Sequence, residues 1–216
     1  EPLLNVRTGK VVAYEVLYRG FQRDTEKAFV SIDEEWDYEI FLSNVTGLRR
    51  IYEEGKLPSP YKFILNIKPS TLLTFLVSVL SLIEDLPFVV ILELREDWIR
   101  EKELRELATA RQEKNFLLSV DDFGRGASNF DRLFYLQPDL LKIDFGVVEN
   151  VPFSSLLHLV ESIKTLGISV NLVAERIETQ ELARKAKALG IELLQGFWVE
   201  NFLKGDGYRV ENEKIR

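Results

Sequence analysis

Seven short apolar runs in this chain each carry, at or just before the last residue, a polar group of the kind that metal-assisted phosphate chemistry uses. They are VVAYE ending on Glu15, FILN on Asn66, VVILE on Glu93, FLLSVDD on Asp121 and Asp122, LLK on Lys142, NLVAE on Glu175 and ELLQ on Gln195. Clustered carboxylates repel one another unless cations neutralise them, so a convergence of these acids calls for bound metal. Oxygen ligands without Cys or a second His favour Mg2+ or Mn2+ over zinc, and Asn66 supplies a neutral oxygen that suits a hard-cation shell. An isolated pair of aspartates after a strand is usually a solvated loop. Asp121-Asp122 followed by Phe123-Gly124-Arg125-Gly126, with Glu15, Asn66, Glu93 and Glu175 at other run ends, reads as a site instead.

Lys142, in LLKID, admits three readings: a structural ion pair, a Schiff-base nucleophile, or a cation that positions phosphate or water. Schiff-base chemistry needs a depressed lysine pKa, and surrounding carboxylates push it the other way, which disfavours an aldolase. The single histidine, His158, lies in the helical pattern SSLLHLVESI, away from the run ends, and reads as a packed or surface residue. Trp36, Trp98 and Trp198 read as packing residues, with Trp198, three positions past Gln195, placed to border the site. Asp122-Phe123-Gly124 matches the magnesium-binding triplet of protein kinases, but the other kinase signatures are missing. Gly124-Arg125-Gly126 lacks the third glycine of a dinucleotide fingerprint.

The elements that position these groups must bring the run ends together. A parallel barrel of alternating strands and helices does so, because its C-terminal strand ends converge on one rim. The pattern supports it. NVRTGKVV predicts an opening hairpin around Thr8-Gly9. Glu26 to Glu54 predicts a helix, with Phe29, Ile32, Trp36, Ile40, Phe41, Val45, Leu48 and Ile51 at three- and four-residue steps, stopped by Gly55. YKFILNI predicts a strand, followed by a helix with Ser70 as N-cap and Pro87 as its end. Next come the strand FVVILEL, an exposed charged helix over 101–114, the strand FLLSVDD, a helix over 128–136 and the strand LLKID. A helix over 154–166, the strand SVNLVAE, a helix over 181–189 and a last strand IELLQGFWV complete the alternation. A doubly wound open sheet fits the same alternation, but it usually shows a Gly-rich turn after its first strand, and none is present.

Composition bounds these readings. At 216 residues, one barrel domain of residues 1–203 is expected, with residues 204–216 as a polar C-terminal tail. A formal charge of −7 argues against binding a DNA or RNA polymer, which needs clustered Lys and Arg. Zero Cys rules out disulfides, thiolate catalysis and Cys-ligated zinc, and the absence of Met is expected of a fragment. The apolar stretch Thr71 to Leu86 falls short of the ~20 residues of a bilayer span. It predicts a buried barrel helix, with no membrane contact from this domain. No signal peptide pattern appears, so the cytoplasm is the expected compartment.

The set as a whole resembles the EAL-domain family of bacterial cyclic di-GMP phosphodiesterases, over essentially the full chain. The name motif stands as Glu15-Val16-Leu17, followed by Arg19. The strand-end Asn matches Asn66, an ExxE pair matches Glu93 and Glu96, and a DDFG loop matches Asp121 to Gly124. Lys142-Ile143-Asp144, Ala174-Glu175 with Glu178-Thr179, and Gln195-Gly196 follow in register. The resemblance implies a modified (β/α)8 TIM-like barrel with an antiparallel first strand. It implies a two-metal site in which Glu15, Asn66, Glu93 and Asp121 hold one Mg2+ or Mn2+, and Asp121, Asp122 and Glu175 serve the second. It further implies that Lys142 orients water, Glu96 anchors the loop from Phe123 to Phe130, Glu178 and Gln195 support the pocket, and Arg19 contacts a ligand phosphate. Ca2+ is expected to inhibit, since its longer bonds misplace the attacking water. The implied reaction opens cyclic di-GMP to the linear dinucleotide pGpG; a catalytically silent receptor or protein-interaction module is the alternative. A homodimer and an accompanying sensory or cyclase domain are the implied partners. Departures from the family pattern are Glu1 for Gln, Phe145 for Arg after KID, Arg176 for Gly after Glu175, and Glu200-Asn201-Phe202 for Ser-Arg-Pro. They bear on guanine binding, dimer contacts and loop coupling.

Overall fold

The computed structural model describes residues 1–17, 32–123, 130–148 and 151–205. The opening hairpin forms as predicted, from β1 (Pro2–Asn5) and β2 (Lys10–Val16). Asn5 shapes its turn: the side-chain oxygen accepts from the backbone N–H of Arg7 and of Thr8, each at 3.0 Å. Then follow β3 (Lys62–Ile67), β4 (Val89–Leu94), β5 (Leu117–Val120), β6 (Leu140–Asp144), β7 (Asn171–Glu175) and β8 (Leu193–Leu194). The eight strands close into a barrel in chain order. β1 runs antiparallel to both β2 and β8, and the other neighbours are parallel. The fold is therefore the modified TIM-like barrel with an antiparallel first strand, and the pairing of β1 with β8 excludes an open sheet.

The helices outside the barrel differ from expectation in four places. Among the described residues the predicted helix over 26–54 is α1 (Glu34–Glu53), which opens at Asp33, whose side chain accepts from Trp36 N–H and caps it; residues 26–31 lie outside the described set. The apolar stretch after β3 is two helices, α2 (Pro69–Thr74) and α3 (Leu76–Glu84), not one buried helix. Phe75, at φ −111° and ψ 23°, breaks the run where its ring stacks on Tyr38 at 4.4 Å, and Val77 is 76% exposed. Ser70 is not the cap of this segment. Pro69 occupies the first helical position with its fixed φ, so the cap falls on Lys68. Finally, FWV does not extend the last strand. Gly196, at φ 137°, turns the chain out of β8, and Phe197 begins a helix that ends at Lys204.

The remaining helices among the described residues are α4 (Glu101–Lys114), α5 (Phe130–Leu136), α6 (Phe145–Val148), α7 (Phe153–Thr165), α8 (Gln180–Ala188) and α9 (Phe197–Lys204). α4 is charged and matches its predicted bounds; residues 128 and 129, predicted to open α5, lie outside the described set, as do residues 206–216 of the expected tail. No helix among the described residues is long and apolar enough to cross a membrane. The core has two parts. A large layer, including Phe41, Leu65, Leu92, Leu141 and Ile163, packs helices against the barrel wall. A smaller plug inside the barrel consists of Leu3, Ala13, Ile64, Ile91, Leu140 and Val173, with Leu117 and Leu193 against it.

Candidate active site

The inner plug explains where the polar groups meet. Side chains of a strand alternate between its two faces, so a residue two positions beyond an inward-facing one also faces inward. Two positions beyond Ala13, Ile64, Ile91, Leu140, Val173 and Leu193 stand Glu15, Asn66, Glu93, Lys142, Glu175 and Gln195. From Leu117 the same step reaches Ser119, then Asp121. Each strand from β2 to β8 thus lays an apolar residue in or against the plug and a polar one above it, toward the rim formed by the C-terminal ends of those strands.

Lys142 is the centre of this layer. Its ammonium, with the residue 0% exposed, lies 2.8 Å from Glu93 Oε1, 2.8 Å from Glu175 Oε1, 3.1 Å from Glu15 Oε2 and 3.9 Å from Asp121 Oδ1. Asn66 donates to Glu15 Oε1 at 2.9 Å, and the Gln195 amide donates to Glu15 Oε2. Ser119 Oγ donates to Glu93 Oε2 at 2.8 Å. Sequence reasoning missed Ser119, although its parity with Leu117 and Asp121 in FLLSVDD was the available signal.

Protonation equilibria follow from this crowding. Burial and the neighbouring Glu15 and Asp121 push the Glu93 carboxyl well up, against the pull of Lys142. Burial likewise raises Glu175, with Asp121 and Glu93 adding to it and Lys142 opposing. Glu15 goes the other way. Burial opposes its ionisation, but the Lys142 ammonium and the bonds from Asn66, Gln195 and Lys142 outweigh that and bring it down to about 2. Burial would lower Lys142, yet the four carboxylates hold it well above the usual lysine range. A neutral, nucleophilic Lys142 is therefore disfavoured, as the sequence predicts.

Two backbone features complete the site. Adjacent residues of a strand point to opposite faces, yet Asp121, Asp122 and Glu175 bring oxygens within 4.8 Å of one another. Asp122 achieves this by leaving the strand at φ 47°, with its N–H donating to Asp121 Oδ1 at 2.8 Å. At the far side, a Cβ on Gly196 would stand 2.5 Å from Ile177 N and 2.8 Å from Ile177 O. Only glycine lets the chain pass that close, and the passage is fastened by Ile177 N–H to Gln195 O at 3.0 Å and Trp198 N–H to Ile177 O at 2.9 Å. It seats Gln195 beside Glu15.

The donors suit a hard divalent cation: they are oxygens, they are anionic, and three of them lie within mutual reach. The Gln195 side-chain oxygen adds to the fit, since it is buried with no hydrogen-bond partner among the described residues and is an acceptor that a hydrated ion satisfies.

Other expected site residues sit farther out. Glu96 and Glu178 are exposed, on the segments after β4 and β7, and Arg19 and most of the Phe123–Phe130 loop lie outside the described set. Glu1 flanks Glu15, whose N–H donates to the Glu1 carbonyl at 2.7 Å. Burial first, then Glu15, raises the Glu1 carboxyl pKa. Behind the rim, buried Asp37 of α1 accepts from Lys68 N–H at 2.9 Å and pairs with Arg95 at 3.9 Å, tying the ends of β3 and β4 just beyond Asn66 and Glu93. Arg132 of α5, 1% exposed, donates to the carbonyls of Arg95 and Asp97 and clips the same segment from the other side.

Fold and site together define an α/β barrel with a carboxylate-rich, lysine-centred pocket at its strand ends. The chain belongs to the EAL-domain family, whose model matches residues 1–201. Among curated relatives, the probable cyclic di-GMP phosphodiesterase PdeD of Escherichia coli is 31% identical over 216 residues, covering 91% of this chain and 40% of that protein. The probable cyclic di-GMP phosphodiesterase PdeN of the same organism is 31% identical over 164 residues, covering 72% of this chain and 32% of PdeN. The chain thus spans well under half the length of these relatives. Among solved structures, Bacillus subtilis YkuI, in complex with cyclic di-GMP and calcium, superposes with a TM-score of 0.72 at 23% identity, covering 92% of this chain and 53% of that one. Klebsiella pneumoniae BlrP1, in a manganese and cyclic di-GMP complex, superposes with 0.73 at 22% identity, covering 91% and 53%. At these identities the likeness is one of fold.

Proposed function

We propose that this domain hydrolyses one 3′–5′ phosphodiester of cyclic di-GMP to linear pGpG, in the cytoplasm and in a divalent-metal-dependent manner. The observation that carries the reading is the convergence of Glu15, Glu93, Asp121 and Glu175 on the Lys142 ammonium, with Asp122 joined to Asp121 and Glu175. Glu15, Asn66, Glu93 and Asp121 would hold one Mg2+ or Mn2+, and Asp121, Asp122 and Glu175 the second. Two such ions, when bound, would supply an activated water and offset charge on the attacking and leaving oxygens. Around them, Lys142 stays protonated and orients water or offsets charge that develops on the phosphate. Gln195 and Asn66 keep Glu15 ionised and aimed inward, Ser119 does the same for one oxygen of Glu93, and the plug below closes the site to water from the barrel interior. Arg19 is proposed as a phosphate contact, Glu96 as the anchor of the loop after Asp122, and Glu178 as pocket support.

A silent cyclic di-GMP receptor is the second reading, favoured by one observation: Glu1 adds a carboxylate beside Glu15 where the ligand is anionic. Turnover separates the two. Release of pGpG with Mn2+ or Mg2+, abolished by EDTA, is the expected result; binding of cyclic di-GMP without release of pGpG under either metal assigns the receptor.

A further inference from the structure

We propose that Arg176 is a specificity-determining residue whose guanidinium binds the phosphate of the cyclic dinucleotide that is not being cleaved; the inference rests on the phosphodiesterase reading of the site. Arg176 directly follows Glu175 at the rim. Its backbone has φ 52°, the left-handed region that residues with a Cβ enter only when something holds them there. The backbone is fastened next door, where Ile177 N–H donates to Gln195 O at 3.0 Å, and the side chain runs to a buried acid. The register of β6 and β7 places Asp144 opposite Glu175, and Arg176 Nε lies 3.4 Å from Asp144 Oδ2. The other Asp144 oxygen accepts from Gly146 N–H at 2.7 Å, which fixes that carboxylate. The arginine arm then crosses Gly146 closely: a Cβ there would meet Asp144 Oδ1 at 3.0 Å and Arg176 Cδ at 3.3 Å.

This pairing engages the inner edge of the guanidinium and leaves the rest outward, for the Arg176 side chain is 49% exposed while Asp144 is 3% exposed. The ion pair with Asp144 keeps the arm beside the end of β7, and a planar guanidinium matches two oxygens of a phosphate. The ligand chemistry asks for such a group. A cyclic dinucleotide carries two phosphodiesters, each with a negative charge; the one undergoing cleavage would sit at the carboxylate centre, and the other would need a cation beside that acidic centre. The adjacent position on the end of β6 offers no cation, because the residue is Phe145 and it is 1% exposed. The charge comes from β7 instead.

Steady-state kinetics in Mn2+ test this with two substrates: cyclic di-GMP, which has the second phosphate, and bis(p-nitrophenyl) phosphate, which has only the scissile one. Arg176→Gly is the main variant, since glycine accepts the left-handed backbone without strain, and Arg176→Lys keeps the charge without the fork. Arg176→Gly is expected to lower kcat/KM for cyclic di-GMP about tenfold, through KM, the loss of one charge-assisted contact. The ratio of that constant to the one for bis(p-nitrophenyl) phosphate should fall by the same factor, with Arg176→Lys in between. An equal fall for both substrates, or a fall in kcat at constant KM, overturns the inference and leaves Arg176 as a clamp on Asp144. Wild type turning over cyclic di-GMP with Arg176→Gly matching it overturns this inference alone. Wild type that cleaves bis(p-nitrophenyl) phosphate but neither cleaves nor binds cyclic di-GMP overturns the proposed function, and this assignment with it.

Discussion

Glu93 and Lys142 show how two buried charges of opposite sign take different parts in one site. Glu93 is fully buried and its ionised form is disfavoured by that burial and by two neighbouring acids, so replacing it with the neutral isostere removes a proposed metal ligand without removing shape. Glu93→Gln is expected to reduce turnover by more than about 100-fold, beyond the 10–100-fold typical of groups that merely orient a ligand. Its melting temperature in EDTA should equal or exceed that of wild type; a variant that keeps normal rates takes Glu93 out of the metal set. Lys142→Ala is expected to behave oppositely in stability. It strands Glu15, Glu93 and Glu175 without their shared cation, which costs about 3–5 kcal/mol when a buried pair is broken, so its unfolding in EDTA should move to markedly lower denaturant. Saturating Mn2+ should recover much of that loss while kcat stays low. The identities of these residues were legible in the sequence, and so was the protonated state of Lys142. Ser119 was not, because its parity with Asp121 is a weak signal for a serine inside an apolar run until the strand's inward face is known.

Strands and helices were read unevenly, and each discrepancy has a local cause. LLKID and the charged helix over 101–114 matched to the residue because their periodicities are unbroken. The end of the chain did not, since FWV has the apolar, aromatic look of strand and its helical state is set by Gly196, where the backbone presses against Ile177. Two glycines test that account by contrast. Gly196→Ala drives a Cβ into backbone atoms that have no room to yield, so it should destabilise by at least about 2 kcal/mol and impair turnover by moving Gln195 off Glu15. Gly47, in the middle of α1 with nothing within 4 Å of an added Cβ, should instead gain roughly 0.5–1 kcal/mol on substitution by alanine. Urea unfolding of the two variants measures both. Equal and small effects would mean that the close passage at Ile177 does not hold the rim. The break at Phe75 is the same lesson in a helix: apolar content predicted one buried segment, and a stacking contact with Tyr38 divides it.

For the molecule as a whole, the crowded carboxylates link metal, pH and folding. Glu93 and Glu175 have raised pKa values in the folded protein, so between the ordinary glutamate value and their raised values the folded chain holds protons that the unfolded chain has released. Stability of the metal-free protein should therefore fall as pH rises through that interval. Glu15, brought down to about 2, contributes with the opposite sign: its stabilisation is present above the ordinary glutamate value and is lost as pH falls from there toward 2. Metal requires the deprotonated ligands, so the gain in melting temperature on adding Mn2+ should be larger at pH 8 than at pH 5.5. A metal-induced gain that is independent of pH, or larger at pH 5.5, would show that Glu93 and Glu175 are not the groups displaced.

The sequence by itself determined which polar groups end the strands, since residue identity and the alternation of apolar runs with helical patterns are local properties that survive without any partner; which face each one occupies became clear only from the apolar plug. The sequence also determined the family, because ordered motifs are carried by residue identity. Only the tertiary structure decided that Gln195 meets Glu15 across 180 residues and that four carboxylates share one ammonium. It also decided that Arg176 is seated over Gly146. The meeting of Gln195 with Glu15 depends on the pairing of β1 with β8 that closes the sheet, and the seating of Arg176 on the pairing of β6 with β7. Such closure is set by the register and packing of strands far apart in the chain, which no local pattern encodes.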